Sequence, residues 1–370
     1  MRWSTWERLA TTQQASIAVL REGGYRLLGK AGDDKAIVRA PKEPRPKLRK
    51  PAASRWSLPV VRPASEPHGD WLTPPKEVSM ATGTITWFYA QQQIILGFDR
   101  LGEGPLLLLL PALSSISTRH ELRGLQERLA RRFATIAIDW PGFGDQPRPA
   151  VAWQPDTYVQ YLQHVLSEIA PQPFATVAAG HAAGYALRAA ADVPHATGRL
   201  CLIAPTWRGP LPTMMNGRRD LGQRIARAAE WPIVGPLLYR LNVNRASMNM
   251  MARGHVYSDP NWLAGERLAQ KMAVVTAPGG WSGSVRFVTG MLDPMPDSST
   301  FLDTAQRAQD PILVIYGAET PARSKAEMQE LARFAHIKLV ELPAGKLALH
   351  EEFPDAVAEQ ILSFADKALT

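Results

Sequence analysis

The chain has a single cysteine, Cys201, among its 370 residues. That excludes a disulfide scaffold and any zinc site built on cysteine thiolates, and it fits a reducing compartment. Long hydrophobic runs are also missing. The longest is Leu106 to Leu110, with Pro111, Ala112 and Leu113 behind it, whereas a membrane-spanning helix needs roughly 20 apolar residues. The opening, Met1-Arg2-Trp3-Ser4-Thr5-Trp6-Glu7-Arg8, lacks the apolar centre of a secretory signal. These absences lead to the expectation of a cytoplasmic protein, with a plastid or peripheral-membrane position as the alternative. No residue spacing calls for a cofactor or a metal.

Hydrophobic residues make up 45% of the chain, enough for a sizeable core and too many for a disordered one. The net charge of +8 is unevenly placed. Residues 1–78 carry 15 Lys+Arg against 8 Asp+Glu, and the remainder 27 against 26. Prolines 41, 44, 46, 51 and 59 punctuate that basic stretch, and each removes a backbone donor. Residues 1–78 therefore read as a flexible arm. Its charge suits weak contact with an anionic membrane, and nothing in it reads a specific nucleic acid.

Beyond residue 79 apolar runs alternate with helical periodicity. Thr84–Tyr89 and Ile94–Phe98 read as a hairpin. Leu106–Leu110, Phe133–Asp139, Phe174–Ala179, Leu200–Ala204, Pro311–Tyr316 and Ile337–Leu342 read as strands. The unbroken apolar run Leu106–Leu110 is that of a strand covered on both faces. Helical spacing falls at 121–132, 156–169, 182–191, 324–334 and 354–368. This pattern predicts an α/β fold with a mostly parallel, doubly wound sheet, its core built from 79–204 and 306–370. About a hundred residues, 205–305, interrupt it before the seventh strand, far more than a crossover needs. Helical patterns at 218–230, 235–253 and 261–275 make this insertion a candidate lid. It holds eight of the eleven methionines, side chains that mould to varied apolar ligands.

The densest motif is Gly180-His181-Ala182-Ala183-Gly184, after a strand and at the head of a helix. Its glycines and setting resemble the G-x-S-x-G nucleophile elbow of the α/β-hydrolase family. Asp139-Trp140-Pro141-Gly142-Phe143-Gly144-Asp145 is similar to that family's D-x-P-G-x-G turn, and Pro111-Ala112-Leu113-Ser114-Ser115 stands where its oxyanion loop stands. The wording also resembles uncharacterised hydrolases of photosynthetic microbes and plastids. The resemblance implies a serine esterase with Ala182 at the nucleophile position. His350 would be the base and Glu319 the acid orienting it, with Asp293 as the alternative acid. The oxyanion donors would be the N–H groups of Ala183 and of Leu113 or Ala112. His181 would shape the elbow.

A methyl cannot attack a carbonyl, so the resemblance carries a conflict. An ester hydrolase of apolar, lipid-like substrates is implied by ancestry, and an impaired or trapping form by Ala182. A non-catalytic ligand-binding protein using the same pocket is the alternative. If position 182 is set by the strand–turn–helix, restoring serine there would be expected to restore turnover.

Overall fold

The computed structural model describes residues 79–149, 151–214, 239 and 245–366. The expected arm at 1–78, the expected helix at 218–230 and most of the first half of that at 235–253 lie outside the described residues. No described helix is long and apolar enough to cross a membrane.

The first two strands, β1 (Ala81–Tyr89) and β2 (Gln92–Leu101), form the expected hairpin. Its two turn residues, Ala90 and Gln91, have φ of 49° and 60°, the left-handed backbone that a two-residue hairpin turn requires. Then come β3 (Leu106–Leu110), β4 (Ala134–Ile138), β5 (Ala175–Ala179), β6 (Arg199–Ile203), β7 (Ile312–Gly317) and β8 (Ile337–Leu342). They lie side by side in the order β1-β2-β4-β3-β5-β6-β7-β8. β2 is antiparallel to both neighbours, and all later pairings are parallel. β4, β5 and β7 are buried along their whole length, as unbroken apolar runs in a doubly covered sheet must be.

A 3-10 turn, Arg119–Leu122, leads into α1 (Arg123–Leu129). α2 (Pro155–His164) ends in a π turn, Val165–Ile169, ahead of β5, and α3 (Ala182–Asp192) joins β5 to β6. Between β6 and β7 lie α4 (Pro210–Met214), α5 (Arg245–Met251), α6 (Gly265–Thr276), α7 (Gly280–Val288) and α8 (Ser298–Arg307). α9 (Ala322–Gln329) precedes β8, and α10 (Leu349–Glu352) and α11 (Pro354–Asp366) follow it.

The departures from sequence periodicity have local causes. The helix expected from 121 starts as a 3-10 turn because the Thr118 hydroxyl accepts the His120 N–H at 3.3 Å and closes the chain early. The helix expected to 169 passes from α to a π turn after His164, and Pro171 then keeps Ala170 out of helical backbone. In the insertion, Gly279 at φ 77° separates α6 from an unexpected α7. The last part of the insertion packs onto the sheet: Leu292, Met295, Phe301 and Ala305 are buried in the main core. Met248 is buried in a second, smaller apolar cluster with Tyr257, Leu263 and Val275, and Met272 packs against it. Met248, Met272 and Met295 thus pack in cores, while Met250 is exposed.

One buried cation ties the front of the sheet together. Arg119 is 3% exposed. Its Nη1 stands 2.6 Å from Asp139 and 2.8 Å from Asp145, and its Nε 3.2 Å from Asp99. Its own N–H donates to Asp139 at 2.6 Å. The guanidinium passes directly over Gly97 of β2, where a Cβ would collide with it and approach Asp139. Gly97→Ala is therefore expected to destabilise the fold by about 3–5 kcal/mol, the cost of breaking a buried ion pair. Gly254→Ala, where a Cβ meets nothing within 4 Å, should stay within about 0.5 kcal/mol. Urea unfolding of both variants checks this, and similar midpoints would contradict it.

Candidate functional site

The turn after β5 is where the resemblance places a nucleophile. Gly180 is the first residue past the strand and has φ +52°. His181 is already helical (φ −71°, ψ −24°), and α3 begins at Ala182. The apex of the turn is thus Gly180, two residues ahead of the position read from the G-x-S-x-G spacing. Ala182 is fully buried in the core, and it packs the first helical turn where a nucleophile would have to face the pocket. The sequence motif misled because glycine and alanine fill it in either register, and only the left-handed backbone at 180 decides between them. A Cβ at 180 would meet a single neighbour, the Ala112 Cβ, at 3.2 Å.

The expected oxyanion donors are already engaged. The Ala183 N–H turns back to the Gly180 carbonyl at 3.3 Å. The Ala112 N–H, held over the end of β3, donates to Oε1 of Glu121 at 2.7 Å. Trp140 anchors that loop by donating its indole N–H to the Pro111 carbonyl at 2.8 Å. Leu113 is buried beside it.

His350 sits at the start of α10, 2% exposed. Its Nε2 stands 3.2 Å from Glu121 Oε1. Neither expected acid is there. Glu319 is exposed, and its carboxylate takes the Gly345 N–H at 3.5 Å. Asp293 is buried at the foot of the turn, where it accepts the Gly209 N–H at 2.6 Å and lies 3.8 Å from His181 Nε2. Thr320 closes its own turn by accepting the Gly317 N–H at 3.2 Å. Sequence reading missed Glu121 because it lies in a different loop, far from His350 along the chain. Its one signal was a carboxylate at the entrance to a helix next to the oxyanion loop.

Glu121 is the hub of a wider cluster. Lys271 of α6 brings its Nζ to 3.7 Å from Glu121 and 3.1 Å from Glu351. The Tyr257 hydroxyl donates to Glu351 at 2.8 Å. Burial would push the Glu121 carboxyl up, but His350, then the Lys271 ammonium and the Ser117 hydroxyl hold it below the ordinary carboxylate value. Burial likewise opposes the charge on Lys271, and the carboxylates of Glu351 and Glu121 raise its pKa overall. Above them lies a cavity of about 180 Å³ lined by His120, Glu121, Arg267, Lys271, His350 and Glu351 among others. The insertion is clasped to this rim. The Val256 carbonyl accepts the N–H groups of Leu347 and Ala348 at 3.1 and 3.0 Å, and Glu352 accepts those of Ser258 and Asp259 at 2.9 Å.

His181 braces the turn from below. Its Nε2 meets the Leu292 carbonyl at 2.8 Å, beside the Tyr185 hydroxyl on the same oxygen. Burial pulls this imidazole down to about 4 from an ordinary 6.5. The unfolded chain therefore binds the proton first. His181 contributes its full stability above pH 6.5 and loses it as pH falls towards 4, a swing of about 3 kcal/mol. Urea midpoints measured from pH 7 to 4.5 should fall more steeply for the wild type than for His181→Gln. Parallel curves would contradict this placement of the imidazole.

The family profile described as "Alpha/beta hydrolase family" matches residues 107–360. No curated protein matches the chain. Solved structures share its fold at low identity. A hydrolase from Pseudomonas aeruginosa PA01 has 18% identity and a TM-score of 0.58, covering 76% of this chain and 97% of the other. A thermophilic esterase from Thermogutta terrifontis has 18% identity and a TM-score of 0.58, covering 78% and 100%. The haloalkane dehalogenase DbeA from Bradyrhizobium elkani has 16% identity and a TM-score of 0.59, covering 79% and 100%. With the sheet order, the turn after β5 and the histidine ahead of α11 all in place, the profile match settles the assignment: this chain belongs to the alpha/beta hydrolase family.

Proposed function

We propose that this chain is a hydrolase-fold ligand-binding protein that does not run the acyl-enzyme reaction of its ancestry. The observation that carries the reading is Gly180. The one residue with the backbone of a nucleophile elbow has no side chain to attack with. The donor side agrees, since the Ala112 N–H is spent on Glu121. An oxyanion hole works only with donors aimed at the oxygen where charge develops. Ester hydrolysis of apolar substrates remains the ancestral activity in this account, supported by an esterase among the structural relatives. The charged rim over His350 favours a polar ligand, or the polar end of one.

A second reading has one observation in its favour. The buried His350–Glu121 pair, at 3.2 Å, could draw a proton from a water molecule and hydrolyse a bound ester with no covalent intermediate.

The test is incubation with activated esters of short and long acyl chain, followed by intact-mass analysis. No acyl adduct is expected. Ala182→Ser should leave hydrolysis within about tenfold of the parent, because position 182 lies inside the helix. Gly180→Ser combined with Glu121→Ala supplies a hydroxyl at the apex and frees the amide. It should raise hydrolysis by at least about a hundredfold. A stoichiometric adduct on the wild type would overturn the proposal. Adduct-free turnover that disappears in His350→Ala would select the second reading.

A further inference from the structure

The cluster over the sheet contains more polar groups than a carbonyl site needs, and one of them is poorly served. His350 is 2% exposed, yet neither ring nitrogen makes a hydrogen bond among the described residues. Its Nε2 approaches Glu121 Oε1 to 3.2 Å but outside hydrogen-bond geometry. A buried polar group left this way is costly, and its orientation calls for an explanation.

We infer that Glu121, His350 and Glu351 form a binding site for a divalent transition-metal ion of the zinc class. One donor atom from each residue lies within 4.8 Å of the others. Ligand atoms around a single zinc ion stand roughly 3–3.5 Å apart, given metal–ligand bonds of about 2.0–2.2 Å. The His350–Glu121 approach of 3.2 Å already has that spacing. An imidazole nitrogen and a carboxylate oxygen both directed at one ion need no hydrogen bond to each other. Two carboxylates with one imidazole suit zinc, cobalt or manganese better than magnesium, which prefers an all-oxygen shell.

The electrostatics agree. The Lys271 ammonium lies between the two carboxylates, 3.1 Å from Glu351 and 3.7 Å from Glu121. The site is therefore built around one positive charge at that point. A divalent ion would take that place, and Lys271 would swing towards the adjoining cavity of about 180 Å³. Further support already surrounds the ligands. Ala112 N–H orients Glu121 and the Tyr257 hydroxyl orients Glu351, as outer-shell groups do in metal sites. The lysine and the ion are then alternative occupants of one position. This inference uses the cavity invoked for ligand binding but is independent of whether an ester binds there.

The test is zinc titration of the tag-free full-length protein by equilibrium dialysis, with magnesium as the control ion. One zinc ion per chain and no magnesium uptake are expected. Cobalt(II) uptake should produce the visible absorption of a low-coordinate site with nitrogen ligation. His350→Ala and Glu121→Gln should each weaken zinc binding by at least about a hundredfold, more than is lost when only an outer-shell partner is removed. Lys271→Met keeps the ligands and removes the competing charge, so it should bind about tenfold tighter. If His350→Ala or Glu121→Gln fails to fold, the comparison of Lys271→Met with wild type decides alone. The inference is overturned if neither wild type nor Lys271→Met takes up a stoichiometric ion. Equally tight zinc binding by folded His350→Ala would also overturn it. Failure here leaves the acyl-adduct result untouched, so the two proposals fall separately.

Discussion

The geometry over the sheet depends on one buried carboxylate. Glu121 accepts the Ala112 N–H, faces His350 and balances Lys271. A charge this far from water is stable only when its partners are all in place. Each contact comes from a different element: the loop after β3, α10, and α6 of the insertion. Glu121 thus ties the loop after β3 to the histidine and to the insertion.

Glu121 is in turn placed by Arg119. The 3-10 turn that carries both residues is fixed on one side by the ion pairs to Asp99, Asp139 and Asp145, which connect β2, the end of β4 and the D-x-P-G-x-G turn. Gly97 leaves the room for the guanidinium. A packed, charge-paired base lies on one side of the loop, and the hydrogen bonds of Val256, Ser258 and Asp259 join the insertion to the 347–352 segment on the other.

Much of the architecture was legible in the sequence because buried parallel strands write themselves as apolar runs. Leu106–Leu110 corresponds residue for residue with β3 and is buried at four of its five positions, whereas Ile337–Leu342, which matches β8, lies at the sheet edge with Lys338 and Glu341 exposed. The site was less legible. Gly180 and Ala182 are both small, so the motif fitted in two registers and the resemblance chose the one with the better-matching letters. Glu319 sat near the place where relatives carry an acid, but its side chain stays in solvent on a backbone N–H. Contacts such as Glu121 with His350 join loops remote in sequence, and no local pattern encodes them. The corrections at 180 and 121 belong together. Gly180 carries no side chain at the turn, and the Ala112 amide is taken by a side chain from the neighbouring loop.

The central claim is that the Glu121 carboxylate holds the Ala112 amide in the loop after β3. It is tested most directly by hydrogen exchange at the Ala112 amide, followed residue by residue by NMR in wild type and Glu121→Ala. The account predicts slow exchange in the wild type and exchange roughly tenfold to a hundredfold faster in the variant, the worth of a hydrogen bond to a charged group. The amide of Leu108 inside β3 should be unchanged. Equal rates at Ala112 in the two proteins would contradict it.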